Sequence, residues 1–274
     1  MRVVVVGLGL IGGSFALALR EAVAGVRVTG VDRAAVIALP ESARAADELL
    51  DVDAPDALQR AAASSDLVVL STPVRVIGEL LPALLACAPL VTDCGSTKRA
   101  IAASVADSPR RGRFVPGHPM AGAPSGGIEL ARADLFRDRR WLLCPDHCDA
   151  DAVDSVESLI VRVGAKPVRL PLAEHDRAVA RTSHATQLIA SALSVAAKQA
   201  HAEVAAGPAF ERTTQIAGGP ESIWRDILAT NADEVARALD VLVSELEAVR
   251  EDLRADPPSV ERAMDLLRRA RRGT

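Results

Sequence analysis

The sequence predicts an α/β fold: a Rossmann-type, doubly wound, mostly parallel sheet followed by an all-α helical domain. Three observations carry that prediction. A glycine-rich hexapeptide directly follows an all-valine run at residues 3–6. Short Val/Leu runs then alternate with longer helical patterns as far as Pro171, as expected of strands whose crossover helices cover both faces of a sheet. Beyond Pro171 strand signals stop and helical periodicity takes over, so the domains are expected at 1–171 and 172–274.

Taken in order, residues 3–6 read as a buried strand, 14–24 as a helix and 26–31 as a second strand. Residues 67–70 and 90–92 are further apolar runs, each preceded by a helical segment. Residues 114–115, 141–144 and 167–170 are later strand candidates, with a helix at 152–163 between the last two. Residues 182–205, rich in Ala, Leu and Val without Pro or Gly, read as one long helix. Val235, Leu239, Leu242, Leu246, Val249 and Leu253 recur in steps of four and three, a heptad-like seam. Asn231 followed by Glu234 suggests a cap at its start, and Asp256-Pro257-Pro258 ends it ahead of a last short helix. Such a seam needs a partner surface, so a homodimer is expected.

Composition excludes several classes. Of 274 residues, 49% are hydrophobic and 25% charged, ordinary for a globular chain of two domains. The formal net charge of −4 argues against a nucleic-acid partner. The Arg-rich end (Arg268, Arg269, Arg271, Arg272) reads as a solvated helix terminus whose cations complement the helix dipole. No leader pattern precedes the first strand and no apolar stretch is long enough to span a bilayer. Cys87, Cys94, Cys144 and Cys148 lack disulfide-framework spacing, so a reduced cytoplasmic setting is expected. Cys144, His147 and Cys148 lack a fourth metal ligand, and no metal is expected.

Gly7-Leu8-Gly9-Leu10-Ile11-Gly12 matches G-x-G-x-x-G. The motif is weak alone, but here it leaves a strand and opens a helix, as dinucleotide binding requires. The first glycine allows the tight turn, the second lets the backbone approach the pyrophosphate, and the third lets helix and strand pack closely. The helix N-terminus then faces the anion. Asp32 closes the second strand, where a carboxylate reaches the ribose hydroxyls and repels the extra phosphate of NADP. NAD is therefore the expected cofactor, with Arg33 able to soften the preference by reaching a phosphate. Ser71-Thr72-Pro73 ends a later strand on the edge where such sheets bind ligands.

Two strand-end segments remain: Asp93-Cys94-Gly95-Ser96-Thr97-Lys98 and Gly117-His118-Pro119-Met120-Ala121-Gly122. A histidine there can act as general base near neutral pH, and a serine hydroxyl can orient it or hold a substrate oxygen. These segments, with Gly7 to Ser14, Ser71-Thr72-Pro73-Val74, Ala133-Asp134-Leu135-Phe136, Glu174 to Ala180 and Ser183-His184, resemble the prephenate/arogenate dehydrogenase family over residues 3–253. The resemblance implies a Rossmann domain, a helical dimerisation domain and NAD-dependent oxidative decarboxylation of a cyclohexadienol. It implies prephenate to 4-hydroxyphenylpyruvate, in tyrosine biosynthesis, with His118 as hydroxyl acceptor supported by Ser96. It also places Ser183, His184, Gln187, Arg212 and Gln215 near substrate.

Three positions depart from the family pattern. Ala123-Pro124 stands where many prephenate-using members have a Glu, and Gln187 where many have a second His. Gln215 stands in Phe210-Glu211-Arg212-Thr213-Thr214-Gln215 where the family's carboxylate-binding Arg is expected; Arg212 or Arg181 are candidate substitutes. Arogenate or a 4-amino-4-deoxyprephenate is the alternative substrate, and a non-catalytic NAD-binding homologue the alternative of another class. A β-hydroxyacid dehydrogenase would need a helical-domain Lys followed shortly by Asn, whereas Lys198 is followed by Gln199-Ala200-His201-Ala202.

Overall fold

The computed structural model describes residues 1–123 and 125–271. Pro124 and Arg272, both singled out above, lie outside the described residues. The first sheet is wholly parallel, in the order β3-β2-β1-β4-β5-β6. Its strands are β1 (Arg2–Val6), β2 (Arg27–Asp32), β3 (Glu48–Asp51), β4 (Leu67–Leu70), β5 (Val91–Asp93) and β6 (Phe114–Val115). The helices around it are α1 (Leu10–Ala22), α2 (Ala34–Ile37), α3 (Pro40–Ala45), α4 (Pro55–Ala63), α5 (Val74–Cys87), α6 (Arg99–Ala103) and α7 (Ala150–Arg162).

The valine run explains the layering. Val3 and Val5 face one core with Phe15 and Leu19 of α1 and Val156 of α7. Val4 and Val6 face the other with Leu58 of α4 and Leu81 and Leu85 of α5. A strand buried on both faces gains nothing from polar alternation, which is why β1 and β4 read as unbroken apolar runs. After β3 the chain returns to lay β4 on the other side of β1, so the strand order reverses between β1 and β4. Ligands of such sheets bind in the crevice outside the carboxyl ends of the strands at this reversal.

A second sheet of three strands, β7 (Gly117–Pro119), β8 (Arg140–Leu143) and β9 (Lys166–Arg169), pairs antiparallel and then parallel. Of the later strand candidates, 114–115 is thus the edge strand β6 of the first sheet and the other two belong to a separate sheet, whose strand β7 carries His118 just past the end of β6. Trp141 of β8 ties this sheet to α1 by packing on Phe15 and Phe136, with ring centroids 5.5 and 5.1 Å away.

The remaining helices are α8 (Leu172–Val179), α9 (Ala185–Gln199), α10 (Pro208–Thr214), α11 (Glu221–Thr230), α12 (Ala232–Arg254) and α13 (Glu261–Arg271). The single long helix expected at 182–205 is corrected in two places. A π turn at Ala180–His184 links α8 to α9, and His201, at φ +52°, ends α9 before a short 3-10 turn. Helix α12 starts where Asn231 predicts, but the Asn231 side chain does not cap it. That amide is drawn instead to the Asp176 carbonyl and to Arg99. In α13, Arg269 pairs with Glu245 of α12, which brings part of the Arg-rich end back onto the domain. No helix among the described residues is long and apolar enough to cross a membrane.

Candidate active site

The glycine loop forms a cradle at the strand-order reversal. Gly7 has φ +93°, and a Cβ there would stand 2.5 Å from the Ser71 carbonyl oxygen. At Gly12 a Cβ would stand 1.9 Å from the Gly7 carbonyl oxygen. At Gly9 it would meet nothing within 4 Å, so that face is open to a ligand. The first turn of α1 carries no acidic residue and no side-chain cap, leaving its N–H groups for an anion. The Asp32 carboxylate accepts the Leu8 N–H at 2.7 Å and the Arg33 N–H at 2.7 Å, bracing the loop from the end of β2. Thr72 holds a buried hydroxyl oxygen with no hydrogen-bond partner beside Gly7. These features fit a dinucleotide. Leu8 and Leu10 point into the core, so they can offer a ligand only their backbone, while Arg33 and Pro73 are exposed at the rim.

His118 belongs to an imidazole chain. Its Nδ1 lies 2.9 Å from Nε2 of His175, whose Nδ1 lies 2.8 Å from Oδ1 of Asp176. Burial by itself would raise the Asp176 pKa, but bonds from His175 and from the Arg99 and Lys98 N–H groups hold it below the ordinary value. Asp176 is therefore an ionised acceptor, and His175 must donate to it from Nδ1. Burial keeps the His175 pKa below the ordinary 6.5 despite that carboxylate. Neutral His175 then has an unprotonated Nε2, which accepts from the Nδ1–H of His118. The lone pair of His118 is left on its Nε2. Burial, followed by His175, Lys98 and His184, holds His118 well below 6.5, so it is a neutral acceptor at physiological pH.

The surrounding scaffold is fully engaged. Lys98, completely buried, donates to the Asp93 carboxylate and, at 2.7 Å, to the Gly117 carbonyl. Asp93 also accepts the Gly95 N–H at 2.8 Å and the Gly117 N–H at 3.0 Å. This pins the turn after β5 to β7, directly before His118. Beside α9, burial lowers His184 to about 4, its ring lies edge-on to Trp224, and its Nδ1 lies 3.3 Å from Nδ2 of Asn231. Gln187 is buried one turn further along α9.

The expected support of His118 by Ser96 is not present: the hydrogen-bond partner of His118 is His175. Ser96 is half-buried in the turn after β5 and makes no side-chain hydrogen bond among the described residues. Ser183 lies half-buried in the π turn. Arg212 and Gln215 are exposed on α10 and at its end, as is Arg181 in the π turn, and no hydrogen bond or ion pair among the described residues joins them to His118. Sequence reasoning missed His175 and Asp176 as partners of His118, and Lys98 and Asp93 as the brace. All four stood in the segments carrying the resemblance. The available signal was a Lys next to a strand end and a His-Asp pair in a chain with few lysines and five histidines.

Fold and site together define a two-domain, dinucleotide-binding oxidoreductase with a neutral imidazole just past the end of β6. Residues 15–169 match the family model described as prephenate dehydrogenase, nucleotide-binding domain, and residues 171–269 that of the prephenate dehydrogenase, dimerization domain. The chain belongs to the prephenate dehydrogenase family. It is 32% identical over 264 residues to prephenate dehydrogenase of Bacillus subtilis, covering 90% of this chain and 69% of that one. The crystal structure of Synechocystis arogenate dehydrogenase superimposes with a TM-score of 0.77 at 27% identity, covering 98% of this chain and 97% of that one. Prephenate dehydrogenase from A. aeolicus, solved with hydroxyphenyl propionate and NAD+, shares the fold with a TM-score of 0.84 at 24% identity, covering 100% and 98% of the two chains.

Proposed function

We propose that this protein catalyses the NAD-dependent oxidative decarboxylation of prephenate to 4-hydroxyphenylpyruvate, a step of tyrosine biosynthesis. The observation that carries it is the neutral His118, fixed with its lone pair on Nε2 within a dinucleotide-binding fold of this family. The substrate bears a hydroxyl and a hydrogen on one ring carbon and a carboxylate on the opposite one. His118 Nε2 takes the hydroxyl proton as the C–H electron pair leaves with its hydrogen as hydride. The bound nicotinamide supplies the hydride acceptor. The carboxylate departs as carbon dioxide, its electrons complete the aromatic ring, and the imidazolium returns the proton to the phenolate oxygen. Ser96, with an uncommitted hydroxyl, is assigned to a substrate oxygen, and Ser183, His184 and Gln187 to the wall of the ring pocket. Asp32 is assigned to the ribose, consistent with NAD rather than NADP.

One observation favours a second substrate. Gln187 is buried three residues after the buried His184, whereas Arg212 is exposed, so this wall is read as offering amide and imidazole groups rather than a guanidinium. Arogenate, whose side chain carries its own ammonium, suits such a wall. Comparison of kcat/KM for prephenate, arogenate and 4-amino-4-deoxyprephenate decides the substrate; turnover of none of the three would overturn the assignment to this reaction. We also assign residues 1–171 to cofactor and 172–274 to substrate and dimer contacts, in a homodimer.

A further inference from the structure

Asp176 is held more completely than a surface-linked carboxylate needs to be. Its Oδ1 accepts the Lys98 N–H at 2.7 Å and the His175 Nδ1–H at 2.8 Å. Its Oδ2 accepts the Arg99 N–H at 3.0 Å and the Arg99 Nε–H at 3.2 Å. The same guanidinium reaches Asn231 Oδ1 at 3.0 Å and both carboxylate oxygens of Asp233. Asn231 in turn donates to the Asp176 carbonyl at 2.8 Å. Arg99 opens α6 in the first domain; Asp176, Asn231 and Asp233 belong to α8 and the start of α12 in the second. Thr97 and Thr230 close the same junction, their hydroxyl oxygens 2.8 Å apart.

We propose that Arg99 is a positioning residue for the reaction at His118: it clamps Asp176 across the domain junction, Asp176 fixes the tautomer of His175, and His175 thereby keeps Nε2 the unprotonated nitrogen of His118. This rests on the reading of His118 as the proton acceptor. A carboxylate free to rotate would let His175 turn or change tautomer. His175 Nε2 would then carry the proton, His118 Nδ1 would have to accept it, and the proton of His118 would move to Nε2, where it blocks the hydroxyl. Because Arg99 draws its other acceptors from α12, the acceptor is in order only while the two domains are docked.

An ordinary exposed ion pair contributes only about 0–1 kcal/mol and would leave catalysis alone, so the two roles separate experimentally. The charged groups facing the imidazoles are Lys98 and Asp93 from the β5 turn, Arg99 from α6, Asp176 from α8 and His184 from the π turn. Removing the Arg99 cation leaves Asp176 less compensated and favours protonated imidazole, so the acid limb of the rate moves to higher pH.

The test uses the full-length enzyme with 15N-histidine labelling, and Arg99→Ala, Arg99→Lys, His118→Ala and Arg237→Ala variants. Arg237 pairs with Asp233 and Glu234 on the exposed side of the same helix and serves as control. In the unaltered protein His118 and His175 are both expected to carry their proton on Nδ1. Arg99→Ala is expected to lower kcat by roughly 10- to 100-fold, less than loss of a general base itself. NAD affinity should stay near native, the acid limb should shift upward, and part of the His118 Nδ1–H signal should be lost. Arg99→Lys should recover part of kcat, and Arg237→Ala should match the parent. A proton on Nε2 of His118 in the parent, or Arg99 variants with parental tautomers and pH profile, would overturn the proposal. His118→Ala with native turnover would instead overturn the underlying reading, whatever the tautomers show.

Discussion

At His118 the environment acts on charge and on direction separately. Burial and the nearby Lys98 keep the ring neutral, while the His175–Asp176 chain decides which nitrogen is open. Replacing His118 by Ala should lower turnover by roughly 10²- to 10⁴-fold with little change in NAD affinity. Since the His118 pKa lies well below 6.5, the rate should hold through neutrality and fall only in clearly acid solution; an acid limb centred at or above 6.5 would contradict the geometry. His118 was legible in sequence because it stands in a motif of its own. His175 was not, because its partnership with His118 spans 57 residues and local pattern carries no such information. Asp32 closes β2 as the sequence predicts, and the structure adds a bond that the sequence did not show, from the Leu8 N–H to its carboxylate. Asp32→Ser should raise the kcat/KM ratio for NADP over NAD; a native preference for NADP would refute the assignment.

Among the elements, the β1–loop–α1 unit was the most legible, because buried parallel strands and glycine turns leave dense local signatures. Its geometry is also the least tolerant. A Gly12→Ala methyl would stand 1.9 Å from the Gly7 carbonyl oxygen, a backbone atom that cannot swing aside. The expected result is a loss of NAD binding, by calorimetric titration, far exceeding that of Gly9→Ala, whose Cβ would meet no protein atom within 4 Å. Equal losses in both variants would mean that steric closure of the loop is not what Gly12 prevents. Strands β3 and β7 escaped the sequence because Glu48-Leu49-Leu50-Asp51 and Gly117-His118-Pro119 are too short and too polar to show a period. The π turn escaped for a different reason. Residues 180–184 are compatible with an ordinary helix, and what widens the turn is tertiary: His184 must meet Asn231 and Trp224 while Ala180 packs on α12.

For the molecule as a whole, two predictions concern what holds it together. The α12 seam is only partly covered within one chain: Val235 is buried, but Leu246 and Leu253 are 61% and 50% exposed, and Leu193 of α9 and Leu267 of α13 are exposed as well. An apolar surface of this kind marks an association face. Leu246→Glu with Leu253→Glu should shift sedimentation from dimer to monomer, and a parent chain that is monomeric at all concentrations would defeat the dimer. The second prediction concerns acid. The core around the active site buries His184 as a neutral ring, with a pKa of about 4 against an ordinary 6.5. Below 6.5 the unfolded chain takes up a proton at this residue that the folded chain refuses, so acid favours unfolding. On account of this residue stability should therefore fall as pH drops from 6.5 towards 4, with no further loss from it below, once both states are protonated. The difference of 2.5 between those two values corresponds to about 3 kcal/mol. His175 and His118, both lowered, act in the same direction. Depressed carboxylates such as Asp233, at about 2, lose their contribution only at lower pH still. Urea midpoints measured at fixed protein concentration, which keeps any dimer contribution constant, should show this slope in the parent and a shallower one in His184→Gln. An unchanged slope in that variant would show that His184 does not carry the acid sensitivity.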